Sequence, residues 1–193
     1  MPIKKYSKVK FTLRKELIIM AAVIVIMLVA SILLGLPTKA EKFQSEWTTA
    51  GASYANGELY ASTTFEGLEK KLAKDSGYIY VYFATSSDTD SVKYFDEVYK
   101  LASGLEVEKV YIIDAKFALE HNREENEDFD KKLTKIEEKF KNASGDTIDL
   151  SHTPNLWVFK DGAFLEEIDH DLIETEGDWN AAALKIFSYA KQN

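Results

Sequence analysis

The run Tyr78-Ile79-Tyr80-Val81-Tyr82-Phe83-Ala84 constrains this chain more than any other segment. It is aromatic, β-branched or apolar at every position. A strand with one face in water alternates apolar and polar residues, whereas one without alternation is covered on both faces. The run therefore predicts a central strand with helices above and below it, an α/β fold. Val110-Tyr111-Ile112-Ile113, closed by Asp114, reads as a second buried strand, and Leu156-Trp157-Val158-Phe159 as a third. Lys160-Asp161-Gly162 is a hairpin turn, because Asp-Gly accepts positive φ. Residues 163–168 return as its partner.

Helical spacing fills the gaps between these strands. Thr63-Thr64-Phe65-Glu66 reads as a capping box, with Glu66 reaching back to the cap. Phe65, Leu68 and Leu72 follow on one stripe, and Gly77 stops that helix. After a loop over residues 85–88, Val92, Phe95, Tyr99 and Ala102 mark a second helix that closes near Gly104. Residues 115–150 are charged but hold Phe129, Leu133, Ile136 and Phe140 on one face of an amphipathic helix. Asp178 is expected to cap a last helix carrying Trp179, Ala182 and Ile186. Strands joined through helices pair in parallel, and the hairpin adds an antiparallel edge.

The N-terminal part is different in kind. Residues 17–36, LIIMAAVIVIMLVASILLGL, carry no charge and match the length that spans a bilayer. Lys4, Lys5, Lys8, Lys10, Arg14 and Lys15 precede this run against Glu16 alone. The net charge of −8 thus divides into +5 for residues 1–36 and −13 for the rest. The basic flank predicts a single-pass anchor in the cell membrane, with residues 1–16 cytoplasmic and everything after the anchor extracellular. A cleaved signal peptide ending at Thr38-Lys39-Ala40 is the rival reading, although the apolar run is longer than a usual signal core. Residues 37–61 are small and polar and read as a linker with a short strand near Leu59-Tyr60. Residues 62–193 are then the folded domain. Its acidity argues against nucleic-acid binding, which needs a basic face. The chain has no cysteine, so no disulfide braces it.

The order helix, strand, helix, strand, helix, strand, strand, helix resembles the thioredoxin fold, a three-layer sandwich with a mixed central sheet. Three local features carry the resemblance across residues 62–191. Val81-Tyr82-Phe83-Ala84 leads by a short loop into a helix. Thr153-Pro154 opens Leu156-Trp157-Val158-Phe159, where the family has its cis-proline. Phe159-Lys160-Asp161-Gly162 is similar to the family's hairpin turn. The nearest flavour is that of small membrane-anchored thioredoxin-like proteins of Gram-positive bacteria. On this resemblance Asp88-Thr89-Asp90-Ser91 stands where the paired cysteines belong, with Asp88 on the first and Ser91 on the second. Tyr82 stands where many members bury an aspartate.

Thiol–disulfide exchange needs a thiolate, so the expectation is a redox-inactive domain that is not an enzyme and needs no cofactor. At the start of a helix Asp88 reads most simply as an N-cap and Asp90 as a first-turn acid. In the thioredoxin fold this loop faces the cis-proline loop, and the backbone before the proline pairs with extended substrate. The resemblance thus implies a face built from Ser87, Asp88, Thr89, Asp90 and Ser91 with His152, Thr153, Pro154 and Asn155. It would bind a peptide or protein partner by β-augmentation, as an accessory or chaperone-like module, with a membrane complex among the candidate partners. Two alternatives stay open. One is a divalent-metal site at Asp88, Asp90 and His152. The other is a spacer domain whose anchor or acidic surface does the interacting. His121 and His170 show no ligand pattern. Asn142-Ala143-Ser144 fits a glycosylation acceptor.

Overall fold

The computed structural model describes residues 15, 18–27, 29, 37–55, 58–119, 126–168 and 176–191. The chain divides into two units, residues 1–39 and 40–193. In the first unit residues 18–27 are helical. Among the described residues no helix is long and apolar enough to cross a membrane. The expected anchor over residues 17–36 is not supported in the described set, and positions 17, 28 and 30–36 lie outside it.

The second unit holds the sheet. Its elements are α1 (Lys39–Ala50), β1 (Tyr60–Thr63), α2 (Phe65–Leu72), β2 (Tyr78–Ala84), α3 (Thr89–Gly104), β3 (Val110–Asp114), α4 (Lys116–Leu119), α5 (Glu127–Lys139), β4 (Asn155–Lys160), β5 (Ala163–Ile168) and α6 (Glu176–Ser188), with a closing 3-10 turn at Tyr189–Lys191. The strands lie in the order β1-β3-β2-β4-β5. β3 pairs in parallel with β1 and β2, and β4 is antiparallel to both β2 and β5. This is the thioredoxin-like arrangement, with β2 at the centre as its composition requires. The Thr153–Pro154 peptide is cis.

Side chains of β2 alternate between two cores. Tyr80, Tyr82 and Ala84 join Phe95, Val98, Trp179 and Phe187 on the face covered by α1, α3 and α6. Ile79, Val81 and Phe83 join Leu68, Leu133, Trp157 and Phe159 on the face covered by α2 and α5. The hairpin turn places Asp161 at φ 50° and Gly162 at φ 85°, the left-handed pair that the Asp-Gly sequence favours. β5 shifts register at Val158/Phe159, a bulge in an edge pair.

Four local expectations change. The segment taken as a polar linker, residues 37–61, contains α1, and its Trp47 is 3% exposed within the core. Phe43 and Trp47, four residues apart, both pack on Phe95 of α3, so a short apolar stripe inside polar sequence is enough to dock α1. The first turn of α2 is capped by Thr64, whose side chain accepts from the Gly67 backbone N–H at 3.1 Å. That puts the helix start one residue later than the capping box requires, and Glu66 instead pairs with Lys70. On α3 the fully buried stripe is Ser91, Tyr94, Phe95, Val98 and Ala102, with Val92 and Tyr99 only half-buried. The helix is turned so that Tyr94 meets Trp179 of α6 at 4.5 Å. α6 begins at Glu176, two residues before the expected cap at Asp178.

Candidate functional site

Parallel strands β2 and β3 both end on the side of the sheet where α3 begins, and β4 starts there. Loop 85–88 and loop 149–154 are therefore neighbours by topology. Asp88 is the N-cap of α3. Its Oδ2 accepts from the Ser91 backbone N–H at 2.9 Å, from the Ser91 hydroxyl at 2.6 Å and from the Thr153 hydroxyl at 3.2 Å. The first contact is ordinary capping, and a carboxylate there also meets the positive end of the helix dipole. The third crosses 65 residues of sequence to the residue before the cis-proline. The sequence-predicted residues Asp88, Ser91 and Thr153 are thus one bonded unit.

The Ser91 hydroxyl is fully buried and also accepts from the Thr85 backbone N–H at 3.3 Å. It is enclosed as a structural link and presents no exposed nucleophile. Tyr82 donates to the Ser91 carbonyl at 2.8 Å. Burial, followed by the negative charges it would meet at Tyr60, Asp88 and Asp90, pushes its phenol well above the ordinary range. Tyr82 therefore serves as a neutral hydrogen-bond donor. Ser87 and Thr89 are exposed and Asp90 is half-buried. Ser87 and Thr85 share a hydroxyl contact at 3.2 Å.

The other predicted residues belong to a second cluster. His152 Nδ1 lies 3.2 Å from Asp149 Oδ2. Asp149 Oδ1 accepts from the Ser151 N–H, and the Asp149 N–H donates to Glu167 Oε2 at 3.0 Å. Asn155, fully buried, donates through Nδ2 to the Asp149 carbonyl, while its Oδ1 has no hydrogen-bond partner. His152 Nδ1 is thus engaged by Asp149. Among the described residues no three His, Asp or Glu side chains are grouped to hold a metal ion. His121 and His170 lie outside the described residues. Asn142 closes a local turn, with its Oδ1 accepting from the Ser144 and Asp146 N–H groups.

Two contributors escaped sequence reading. Glu46 of α1 accepts from the Ser86 hydroxyl at 2.7 Å. The Phe43/Trp47 spacing was the available signal that its segment is a packed helix. Asp149 organises the proline loop, and Asp-x-Ser, a local turn pattern, was its only mark. An open cleft of about 670 Å³ lies at the opposite end of the sheet, between residues 75–80, 106–109 and 160–161, and shares no residue with these loops.

No protein-family model and no curated protein matches the chain. Solved structures do match. One, described as "a putative oxidoreductase with a thioredoxin fold", is 16% identical, with a TM-score of 0.42 over 70% of this chain and 97% of its own. No residue role passes from it to this chain, and the fold rests on the strand order itself. The expectation that the chain is no enzyme is nonetheless corrected here. A protein matched in this way is itself described as a putative oxidoreductase. Lack of cysteine removes thiolate chemistry and leaves other chemistry untouched.

Proposed function

We propose that residues 40–193 bind an extended peptide, or an unfolded segment of a protein partner, on the face formed by Ser87–Ser91 and His152–Asn155. The observation that carries this reading is the Thr153–Asp88 hydrogen bond, which fixes the proline loop against the start of α3. Main chain held rigidly beside a helix terminus suits β-augmentation, in which backbone hydrogen bonds supply affinity and neighbouring pockets supply selectivity. Nothing in such binding requires a thiol. The role would be accessory or chaperone-like.

The same reading anchors the chain in the cell membrane through residues 17–36, with the domain outside. Supporting it are the uncharged length of that run, its basic flank, and the helical residues 18–27, where Ile18 is 68% and Ile26 66% exposed. A helix with apolar side chains on all sides needs an apolar surrounding. Alkaline carbonate washing of membranes should leave the full chain in the pellet and release a chain lacking residues 17–36. Release of the full chain ends the anchor reading.

Peptide binding is tested with a library of fluorescein-labelled extended 13-residue peptides, read by anisotropy. Asp88→Ala and Thr153→Val should each weaken the best-bound peptide about 10-fold or more, the equivalent of roughly 1.4 kcal/mol. Affinities unchanged in both variants would place the peptide elsewhere.

A further inference from the structure

Helix α1 precedes the strand–helix succession that defines the fold, yet it is built into the core beside the candidate face. Trp47 stacks on Phe95 of α3, with centroids 4.2 Å apart and planes at 24°. Phe43 leans on both rings. The chain after α1 is tied to the same helix. The Asp96 carboxylate accepts from the Ser53 and Tyr54 backbone N–H groups at 3.0 to 3.2 Å, and Tyr54 stacks on Tyr99 with centroids 4.5 Å apart. Buried aromatic contact of this kind fixes α1 as a rigid element.

Glu46 precedes Trp47 and so points about 100° away from it around the helix. From there its Oε1 takes the Ser86 hydroxyl at 2.7 Å. Loop 85–88 has a single turn bond of its own backbone, from the Asp88 N–H to the Thr85 carbonyl at 3.2 Å. Side chains hold the rest. Ser91 holds Thr85, Glu46 holds Ser86, Thr85 holds Ser87, and Asp88 is joined to Ser91 and Thr153. Polar contacts thus run from α1 across the loop to the proline loop, and every residue of the loop takes part.

We propose that α1 is one wall of the binding face and that Glu46 is a positioning residue, holding loop 85–88 in the shape a partner segment meets. This rests on the peptide-binding reading above. The Glu46–Ser86 pair is exposed, so its bond adds little to global stability. Its effect falls on the loop: a loop already ordered spares the partner the entropy of ordering it.

The experiment uses the full chain in detergent, the best-bound fluorescein peptide as probe, and amide hydrogen exchange of residues 85–88. Glu46→Ala and Ser86→Ala should speed exchange in that loop and weaken the peptide about 3- to 10-fold, with Tm within about 2 °C of the unmodified chain. Glu46→Gln keeps an acceptor oxygen and should restore both readouts. Unchanged loop exchange in Glu46→Ala overturns the positioning role whether or not a peptide binds. Faster exchange with unchanged affinity overturns the wall. Glu46→Gln behaving like Glu46→Ala would assign the effect to charge and refute the hydrogen-bond argument. Asp88→Ala and Thr153→Val, run alongside, test the peptide-binding reading by itself.

Discussion

Replacing Asp88 by alanine removes one acceptor from three donors, and the cost separates a plain helix cap from a clasp between two loops. Loss of a cap by itself costs about 1 kcal/mol. The Ser91 hydroxyl, fully buried, loses its 2.6 Å acceptor. An abandoned buried donor costs about 1–3 kcal/mol. Thr153 is 8% exposed, and its hydroxyl loses a longer bond of 3.2 Å, for about 0.5–1 kcal/mol. The total is about 3 kcal/mol against a typical domain stability of about 5–15 kcal/mol. With a urea slope near 2 kcal/mol per molar, the unfolding midpoint should fall by about 1.5 M, followed by far-UV circular dichroism. Asp88→Asn keeps the cap and one acceptor and should cost about 1 kcal/mol. A double-mutant cycle with Thr153→Val isolates the contact between the loops, with an expected coupling of about 0.5–1 kcal/mol. An alanine cost of only about 1 kcal/mol with no coupling would refute the clasp and leave Asp88 as a cap.

Three further outcomes follow from the same geometry. Trp47→Ala should destabilise the chain by about 3–5 kcal/mol in urea unfolding, as for other buried aromatics; a cost under about 0.5 kcal/mol would mean α1 is the loose tether its composition suggests. Gly162→Ala should cost about 2 kcal/mol or more in the same assay, because φ is +85° and a Cβ would sit 2.7 Å from the Leu72 carbonyl oxygen, a backbone atom that cannot swing aside. Burial, the first cause at both sites, raises the phenols of Tyr60 and Tyr82 well above the ordinary value. Unfolded tyrosines lose their protons near pH 10, so the stability these two contribute is intact below that pH and is lost as pH rises beyond it. Urea midpoints should therefore drop steeply above pH 10. Tyr82→Phe should flatten the drop, and an unchanged slope would count against the buried phenol.

The central strands were legible because burial on both faces leaves a composition with no alternation, and Tyr78–Ala84 has no competing reading. The Asp161-Gly162 turn was legible for a similar reason, since few residue pairs tolerate left-handed backbone twice in succession. α1 was not legible. Its sequence is polar at most positions, and its docking rests on Phe43 and Trp47, whose partner Phe95 lies far along the chain. The face of α3 was read slightly rotated for a related cause: periodicity gives the stripe, but α6 decides which side of it is sealed. At the site, a short polar residue before a helix announced Asp88 as a cap, while its bond to Thr153 depends on a loop crossing that local spacing does not encode. His152 was placed beside Asp88 by analogy. The carboxylate of Asp149, three residues away, lies 3.2 Å from its Nδ1, a contact that local spacing alone could have suggested.

Strand β2 belongs to both cores at once, sending alternate side chains to each, and it is hydrogen-bonded along both edges by β3 and β4. β2 cannot leave its place without emptying both cores. Its amides should then exchange with solvent only through complete unfolding, and slowest of any in the chain. The loops at the end of the same strand are held by their own side-chain contacts. The domain would thus hold a recognition edge pinned by side chains on a framework whose centre gives way last.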